Sequence, residues 1–164
     1  LSCIISDTLE FRSPTTTRRD REVAERLAKD LKIDVSDYAS KLFRAKSDVS
    51  DFSDAQLLRM DSKKYPIADL MFRVSVLETT EPDMIFRRKS SLIEAMETVC
   101  AEDSVDHVLF FVVDILREES TLIVPNKSVK KVAEKSFGVN VSDNSVLLPG
   151  VVSRKKQIIP NLKI

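Results

Sequence analysis

The chain has 164 residues, of which 43% are apolar and 32% are charged, so it can form a packed core and is not disordered throughout. Its 26 basic residues equal its 26 acidic ones, which removes any overall positive field that would attract nucleic acid or an acidic membrane surface. No apolar segment reaches the ~20 residues of a membrane span. Cys3 and Cys100 form no Cys-x-x-Cys pair, and we interpret them as reduced thiols of a cytoplasmic protein.

The first elements of the chain are predicted as one strand and two helices. Residues 1–6 form a short apolar run, interpreted as a buried strand that ends at Asp7. Because the chain starts with Leu inside this run, we expect further residues upstream. Two amphipathic helices follow, the first after a capping box at Thr17 and the second after a cap at Asp34.

The rest of the chain alternates between strand and helix patterns. Residues 47–53 are rich in Ser and Asp and are predicted to be a linker. A short helix follows at 54–59. The order of later segments is β-α-β-β-α-β-β, which predicts an α/β fold with a mixed β-sheet flanked by helices. The predicted elements are strands at 71–77, 108–115, 121–124, 145–148 and 157–159, and helices from Pro82 to Val99 and at 127–137.

Three features could carry chemistry. Asp7 follows a predicted strand, where α/β proteins place ligands, although a turn cap explains it equally well. Arg154, Lys155 and Lys156 are consecutive cations that an anionic ligand such as phosphate would stabilise. From the residues alone, an edge strand protected by its lysines is the preferred explanation of this cluster. Lys63 by itself is interpreted as a surface lysine.

Several enzyme classes are excluded by the residues that the chain contains. His107 is the only histidine and begins an apolar strand, so a His-rich metal site cannot be built and a structural role is preferred. Gly138 and Gly150 are the only glycines, which excludes a P-loop or a dinucleotide fingerprint. No Gly-x-Ser-x-Gly elbow is present, and no residue is proposed as a catalytic nucleophile or base.

Four segments, taken in order, resemble the family II inorganic pyrophosphatases of the DHH phosphoesterase superfamily. Residues 4–15 (IISDTLEFRSPT) are similar to the last metal-ligand motif of that family, and 61–63 (DSK) to its Asp-Ala-Lys turn. Residues 113–116 (VDIL) resemble its Thr-Asp-Ile-Leu segment. Residues 148–157 (LPGVVSRKKQ) match its terminal signature without a change.

The resemblance implies a domain division and a reaction. Residues 1–46 would be the helical C-terminal remnant of a DHH metal-binding domain, 47–53 a linker, and 54–164 the DHH-associated C-terminal substrate-binding domain. The implied reaction is hydrolysis of diphosphate to two phosphates by a hydroxide that two metal ions activate. Manganese is the implied cofactor, with cobalt or magnesium as alternatives.

The resemblance also implies roles for particular residues. Asp7 would be a metal ligand, and Lys63, Arg154 and Lys155 would bind diphosphate. Lys156 and Gln157 receive no direct role, but could position the loop. The family's His-x-x-x-Asp-x-Asp and Asp-His-His motifs are not in these 164 residues. The resemblance therefore implies a missing N-terminal DHH region as partner, an inactive isolated chain, and room for a homodimer through that N-terminal domain.

Two departures from the family pattern keep other functions open. Val76 replaces an amide of the family's Ile-Ala-Gln-Val-Asn-Thr strand, and Ala68 stands where a glycine is usual. These changes favour a non-catalytic anion-binding or regulatory module as the alternative, beside a related polyphosphatase. RNA binding is disfavoured, because the chain is neutral and has no aromatic stripe beside its basic cluster.

Overall fold

A mixed five-stranded sheet lies between two layers of helices in the computed structural model, which describes residues 1–163. The strands follow the sheet in chain order, and only β2 and β3 are parallel. The predicted α/β fold is thereby confirmed. The strands are β1 (Ser62–Ile67), β2 (Leu70–Thr79), β3 (His107–Asp114), β4 (Glu119–Ile123) and β5 (Ser145–Pro149). The helices are α1 (Ser2–Thr8), α2 (Arg18–Leu31), α3 (Val35–Ser47), α4 (Asp54–Arg59), α5 (Pro82–Phe86), α6 (Lys89–Asp103) and α7 (Lys127–Phe137).

Two hydrophobic cores lie on the opposite faces of this sheet. Alternation along β2 sends Val74 and Val76 into one core and Leu77 into the other. The first core also receives buried residues of α1, α3 and α7, whereas the second receives those of α4 and α6. Seven of the eight residues of β3 are buried, as a strand covered on both faces requires.

The N-terminal segment corrects the sequence prediction. Residues 2–8 form helix α1 and not a strand, so Asp7 does not stand at a strand end. Ile5 and Leu9, four residues apart, are both buried in the first core, whereas Cys3 and Asp7 are exposed. A six-residue apolar run is too short for its period to separate a strand from a helix. The helix ends where Leu9 adopts a left-handed conformation, with φ 50°.

The C-terminal segment corrects a second prediction. Residues 157–159 are not a strand, because the chain forms a π-helical turn over Arg154–Ile158 and a short 3-10 helix over Ile159–Asn161. Strand β1 was also missed, since 61–63 was predicted as a turn and only Asp61 lies outside the strand. By contrast, the capping box at Thr17 and the cap at Asp34 are confirmed.

The predicted domain division stays a prediction. Ala39 and Phe43 of α3 pack in the same core as the sheet, so the first helices lie directly on the strand layer. The chain between α3 and α4, residues 48–53, has no regular secondary structure. Across residues 1–163, every helix falls short of the length and apolar character that a bilayer crossing requires.

Candidate functional site

The terminal loop, residues 150–158, is a compact turn that follows the edge strand β5. Gly150 adopts φ 74°, a conformation that residues with a Cβ rarely take, and its N–H donates to the Glu118 carbonyl. The turn over Arg154–Ile158 begins at Ser153, whose hydroxyl accepts from the Lys156 N–H at 3.3 Å. Hydrogen bonds within the protein therefore hold both ends of the loop without a ligand.

The Gln157 side chain holds this loop from inside. Its amide oxygen accepts from the backbone N–H groups of Val152 and Ser153, at 2.9 Å each, and its nitrogen donates to the Gly150 carbonyl at 2.6 Å. An amide is needed here, because the site requires one acceptor and one donor on the same group. These contacts support the loop-positioning role suggested for Gln157.

Arg154 connects the terminal loop to the entrance of β1. Its Nη2 donates to Asp61 Oδ1 at 2.9 Å, and its Nη1 donates to the Asp61 carbonyl. The two residues are 93 positions apart in sequence. Asp61 itself has φ 36°, and its carbonyl also accepts from the Val76 N–H at 3.4 Å. Two of the sequence motifs are thus joined by an ion pair.

Lys63 and Lys155 flank this ion pair. Lys63 lies in β1, two residues after Asp61 and opposite Val74 of β2. Lys155 directly follows Arg154 in the terminal turn. Both side chains are exposed, and within residues 1–163 neither pairs with a carboxylate. The structure therefore brings the chain segments that carry the three predicted diphosphate-binding residues to one end of β1.

Lys156 points in another direction, toward the N-terminal segment. Its ammonium donates to the Pro14 carbonyl at 2.7 Å. Arg12 of the same segment lies 3.9 Å from Glu118, whose carbonyl holds Gly150. The third cation of the signature is thus used to attach the loop to the segment that follows α1.

Asp7 lies beside this arrangement. It is exposed on α1 and lines a cavity of about 410 Å³. Asp61 lines the same cavity, whereas Arg154 is not among its lining residues and is connected to it only through its contact with Asp61. The remaining lining residues are Ser6, Lys46, Met60, Val76, Leu77 and Glu78.

The metal-binding capacity of this groove is limited. No group of three or more His, Cys, Asp or Glu side chains that could hold a metal ion occurs in residues 1–163. Asp7, Asp61 and Glu78 therefore share a cavity without forming a metal centre. Glu78 is moreover paired with Lys46 at 2.6 Å. The residues present do not fit a two-manganese centre by themselves.

A second, more buried charge network holds the start of β1. Asp103 at the end of α6 pairs with Arg73 at 2.8 Å and with Arg59 at 3.0 Å. Hydrogen bonds from Arg59, together with the positive charges of Arg73 and Lys64, lower the pKa of Asp103 below its ordinary value. Arg73 also donates to the Ser62 hydroxyl, which lies between Asp61 and Lys63. Sequence reasoning missed this network, since none of its contacts is local.

A larger cavity of about 790 Å³ lies elsewhere, between α5 and strands β3 to β5. Its lining includes Val112, Leu147 and Asp114, and no residue of the terminal loop or of segment 4–15. Asp114 is 8% exposed and accepts from the N–H groups of Leu116 and Arg117, so it holds the turn after β3. We place the candidate site at the groove beside Asp61, where segment 4–15, segment 61–63 and the terminal loop come together.

Comparisons with known proteins found a matching family model and several relatives. The model of the DHHA2 domain matches residues 40–164. A protein of Deinococcus radiodurans named as a manganese-dependent inorganic pyrophosphatase is 42% identical over 99% of this chain and 54% of its own length. Proteins with the same name from Lactobacillus helveticus and Clostridium acetobutylicum are 36% and 37% identical, over 99% and 98% of this chain and 52% of each relative.

A solved structure has the same fold. It comes from Methanococcus jannaschii, is named as a family II inorganic pyrophosphatase, and superposes with a TM-score of 0.83 at 33% identity. The superposition covers 96% of this chain and 51% of that one. The chain thus spans about half the length of the curated relatives and of the solved structure that it matches.

Proposed function

Because the chain belongs to the DHHA2 domain family, we propose that it forms the diphosphate-binding part of a manganese-dependent (family II) inorganic pyrophosphatase. The reaction of the whole protein is the hydrolysis of diphosphate to two phosphates. The names of the relatives support this reaction, although each relative is about twice as long as the matched region. The protein is proposed to work in the cytoplasm.

The observation that carries the proposal is the contact between Arg154 and Asp61. This contact brings the loop with Arg154 and Lys155 to the strand that bears Lys63, and all three residues were candidates on sequence grounds. A planar guanidinium can hold two phosphate oxygens at once, while each flexible lysine adds a point charge. The three cations neutralise the charge that builds up on the phosphates during their separation.

Manganese is proposed as the cofactor, with Asp7 as the one ligand that this chain supplies. Since the residues of 1–163 do not fit a metal pair, the other ligands must come from outside this chain, in the DHH region that the resemblance implies. A homodimer through that same region stays a prediction. The isolated chain is accordingly proposed to be inactive toward diphosphate.

A non-catalytic anion-binding or regulatory module is the second candidate. It is favoured by Val76, which is 3% exposed and presents an apolar wall to the groove where the family has an amide. A related polyphosphatase would use the same cations on a longer substrate. Substrate choice and metal dependence separate these three functions.

The test uses the whole protein that contains this chain, stripped of metal and then supplied with manganese. Phosphate release is measured from diphosphate and from tripolyphosphate, with residues 1–164 alone as the control. We expect turnover of about 1 per second or more on diphosphate, only with manganese, and none from the control. Binding without turnover would support the module, and a preference for tripolyphosphate would support a polyphosphatase.

A further inference from the structure

Asp61 has no role in the function proposed so far, yet both of its oxygen-bearing groups hold Arg154. Its Oδ1 accepts from Nη2 at 2.9 Å, and its carbonyl accepts from Nη1. The Arg154 side chain is 16% exposed, whereas Asp61 is 61% exposed. The arginine is therefore largely enclosed, and one residue determines the direction in which its guanidinium group faces.

Asp61 is a rigid base for such a contact. It lies directly before β1, and its carbonyl accepts from the Val76 N–H of β2 as well as from Arg154. The next residue, Ser62, is held by Arg73 and donates to the Arg59 carbonyl at 2.9 Å. Asp61 is thus fixed by the sheet, and its contact with Arg154 limits the movement of the guanidinium group.

The contact also leaves part of the guanidinium free. Asp61 binds one hydrogen on each terminal nitrogen, and an arginine has five N–H donors in one plane. No further protein acceptor for the remaining donors occurs within residues 1–163, so the Nε side of the group is available for a bidentate phosphate contact. The Asp61 carboxylate binds at Nη2 and its carbonyl at Nη1, so the Nε–H is the donor that Asp61 leaves unoccupied.

We propose that Asp61 is a positioning residue that orients the Arg154 guanidinium group so that its free Nε edge binds a phosphate oxygen pair of diphosphate. This inference rests on the proposed function of the terminal loop. Without Asp61 the arginine keeps its charge but loses its fixed direction. Transition-state binding then suffers more than substrate binding, because developing charge is best stabilised by donors that are already oriented.

If the ion pair were purely structural, its loss would lower the thermal midpoint and leave the kinetics of the folded protein unchanged. Asp61 is 61% exposed, although Arg154 is only 16% exposed, so removal of the Asp61 carboxylate should lower the thermal midpoint only slightly. The backbone of Asp61 has a positive φ, which Asn and Gly accept more easily than other residues. Asp61→Asn and Asp61→Gly therefore remove the carboxylate with little disturbance of the chain.

The experiment measures kcat and KM for diphosphate in the whole protein with manganese. Asp61→Gly should lower kcat/KM about 10- to 100-fold, by analogy with the loss when a group that orients a metal-binding side chain is removed. The loss should lie mainly in kcat. Asp61→Asn keeps an oxygen acceptor and should fall between wild type and Asp61→Gly. Asp69→Asn, a change at an exposed aspartate of the β1–β2 hairpin, is the matched control and should match wild type.

A double variant that carries both Asp61→Gly and Arg154→Lys tests whether Asp61 acts through Arg154. If Asp61 acts through Arg154, then Asp61→Gly should change kcat/KM less than about 2-fold once Arg154 is already replaced. An undiminished loss in that background, or full activity of Asp61→Gly alone, would overturn the inference. If Asp61→Gly fails to fold, Asp61→Asn and its double variant decide by the same comparison. A wild-type protein inactive on diphosphate would instead refute the proposed function.

Discussion

Two arginine–aspartate pairs at the start of β1 differ in how exposed the aspartate is to solvent. Arg73 and Asp103 are 12% and 17% exposed, and Asp103 is shared with Arg59. Arg154 is similarly enclosed at 16% exposure, but its partner Asp61 is 61% exposed and lines an open groove. The first pair is enclosed and shared among three side chains, although the Arg73 Nε has no partner, and we expect it to contribute to stability. The second keeps the Arg154 Nε–H unpaired beside an exposed partner, and we propose that it contributes to binding.

Replacement of Arg154 should have the largest effect on activity. Arg154→Lys keeps the charge but loses the fork, which should cost about 2–4 kcal/mol of transition-state stabilisation in the whole protein, as for a lost oriented donor. Folding should change by at most ~1 kcal/mol, since the pair includes an exposed partner. Steady-state kinetics and the thermal midpoint measure the two quantities. Lost turnover together with a collapsed midpoint would mean that Arg154 is structural.

Replacement of Asp103 should affect stability instead. Asp103→Asn leaves Arg73 without its charged partner, and we expect a loss of about 2 kcal/mol in the free energy of unfolding. This is less than the loss of about 3–5 kcal/mol for a fully buried pair, because Asp103 is partly exposed. Denaturant unfolding measures it. Asp143→Asn, which alters an exposed pair with Lys89, is the control and should change little.

The same pair predicts a pH dependence. The pKa of Asp103 is lowered in the folded state by hydrogen bonds from Arg59 and the charge of Arg73. Its contribution is therefore complete above the unfolded aspartate pKa of about 3.9 and is lost as the pH falls below that value. The stability difference between wild type and Asp103→Asn should shrink on acidification from pH 6 to about pH 3. A constant difference over this range would contradict the assignment.

Substitution of Gln157 tests whether its side chain holds the terminal loop in place. Gln157→Ala removes contacts to Val152, Ser153 and Gly150 and should cost about 1–2 kcal/mol of stability. Amide hydrogen exchange at Val152 and Ser153 should accelerate. Gln157→Glu keeps an acceptor for the two N–H groups but loses the donor to Gly150, so it should preserve more of the protection. Equal exchange in all three proteins would count against this role.

Ala68 gives the smallest expected effect. It has φ 51° in the turn between β1 and β2, a conformation that is unfavourable for alanine and accessible to glycine. Ala68→Gly should stabilise the protein by about 0.5–1 kcal/mol, after allowance for the greater freedom of glycine in the unfolded chain. Asp69→Gly, at a neighbour without a positive φ, should not stabilise. A destabilised Ala68→Gly would refute the strain at this turn.

The sequence predicted the parts of the fold that have long, regular patterns. The run from Val108 to Ile115 and the helix at 127–137 were confirmed, and the resemblance to family II pyrophosphatases is borne out by the relatives and the solved structure. Helix α1 was misread because a run of six residues, four of them apolar, is too short to show a period. Strand β1 was missed because its sequence, SKKYPI, begins with three polar residues and includes a proline, so it shows no alternating apolar pattern.

The cations of the proposed site were named from the sequence and their roles stay predictions, whereas the geometry that connects them could not be predicted. The motifs identified Arg154, Lys155 and Lys63. The contact that brings their segments together joins Arg154 to Asp61, which are 93 positions apart in sequence. Asp61 stood inside a recognised motif without an assigned role, since a carboxylate that binds an arginine has no local signature. The final strand was wrong because the Gln157 amide bonds the backbone of its own loop and so favours a turn.

The most direct test compares Arg154→Lys and Asp103→Asn in the whole protein, at one temperature below both thermal midpoints. With manganese present, diphosphate turnover should fall about 30- to 1,000-fold in Arg154→Lys and stay within about 3-fold of wild type in Asp103→Asn. The thermal midpoints should show the opposite order, with the larger fall in Asp103→Asn. Turnover that follows the midpoint in both variants would contradict the claim that this chain grips diphosphate through Arg154.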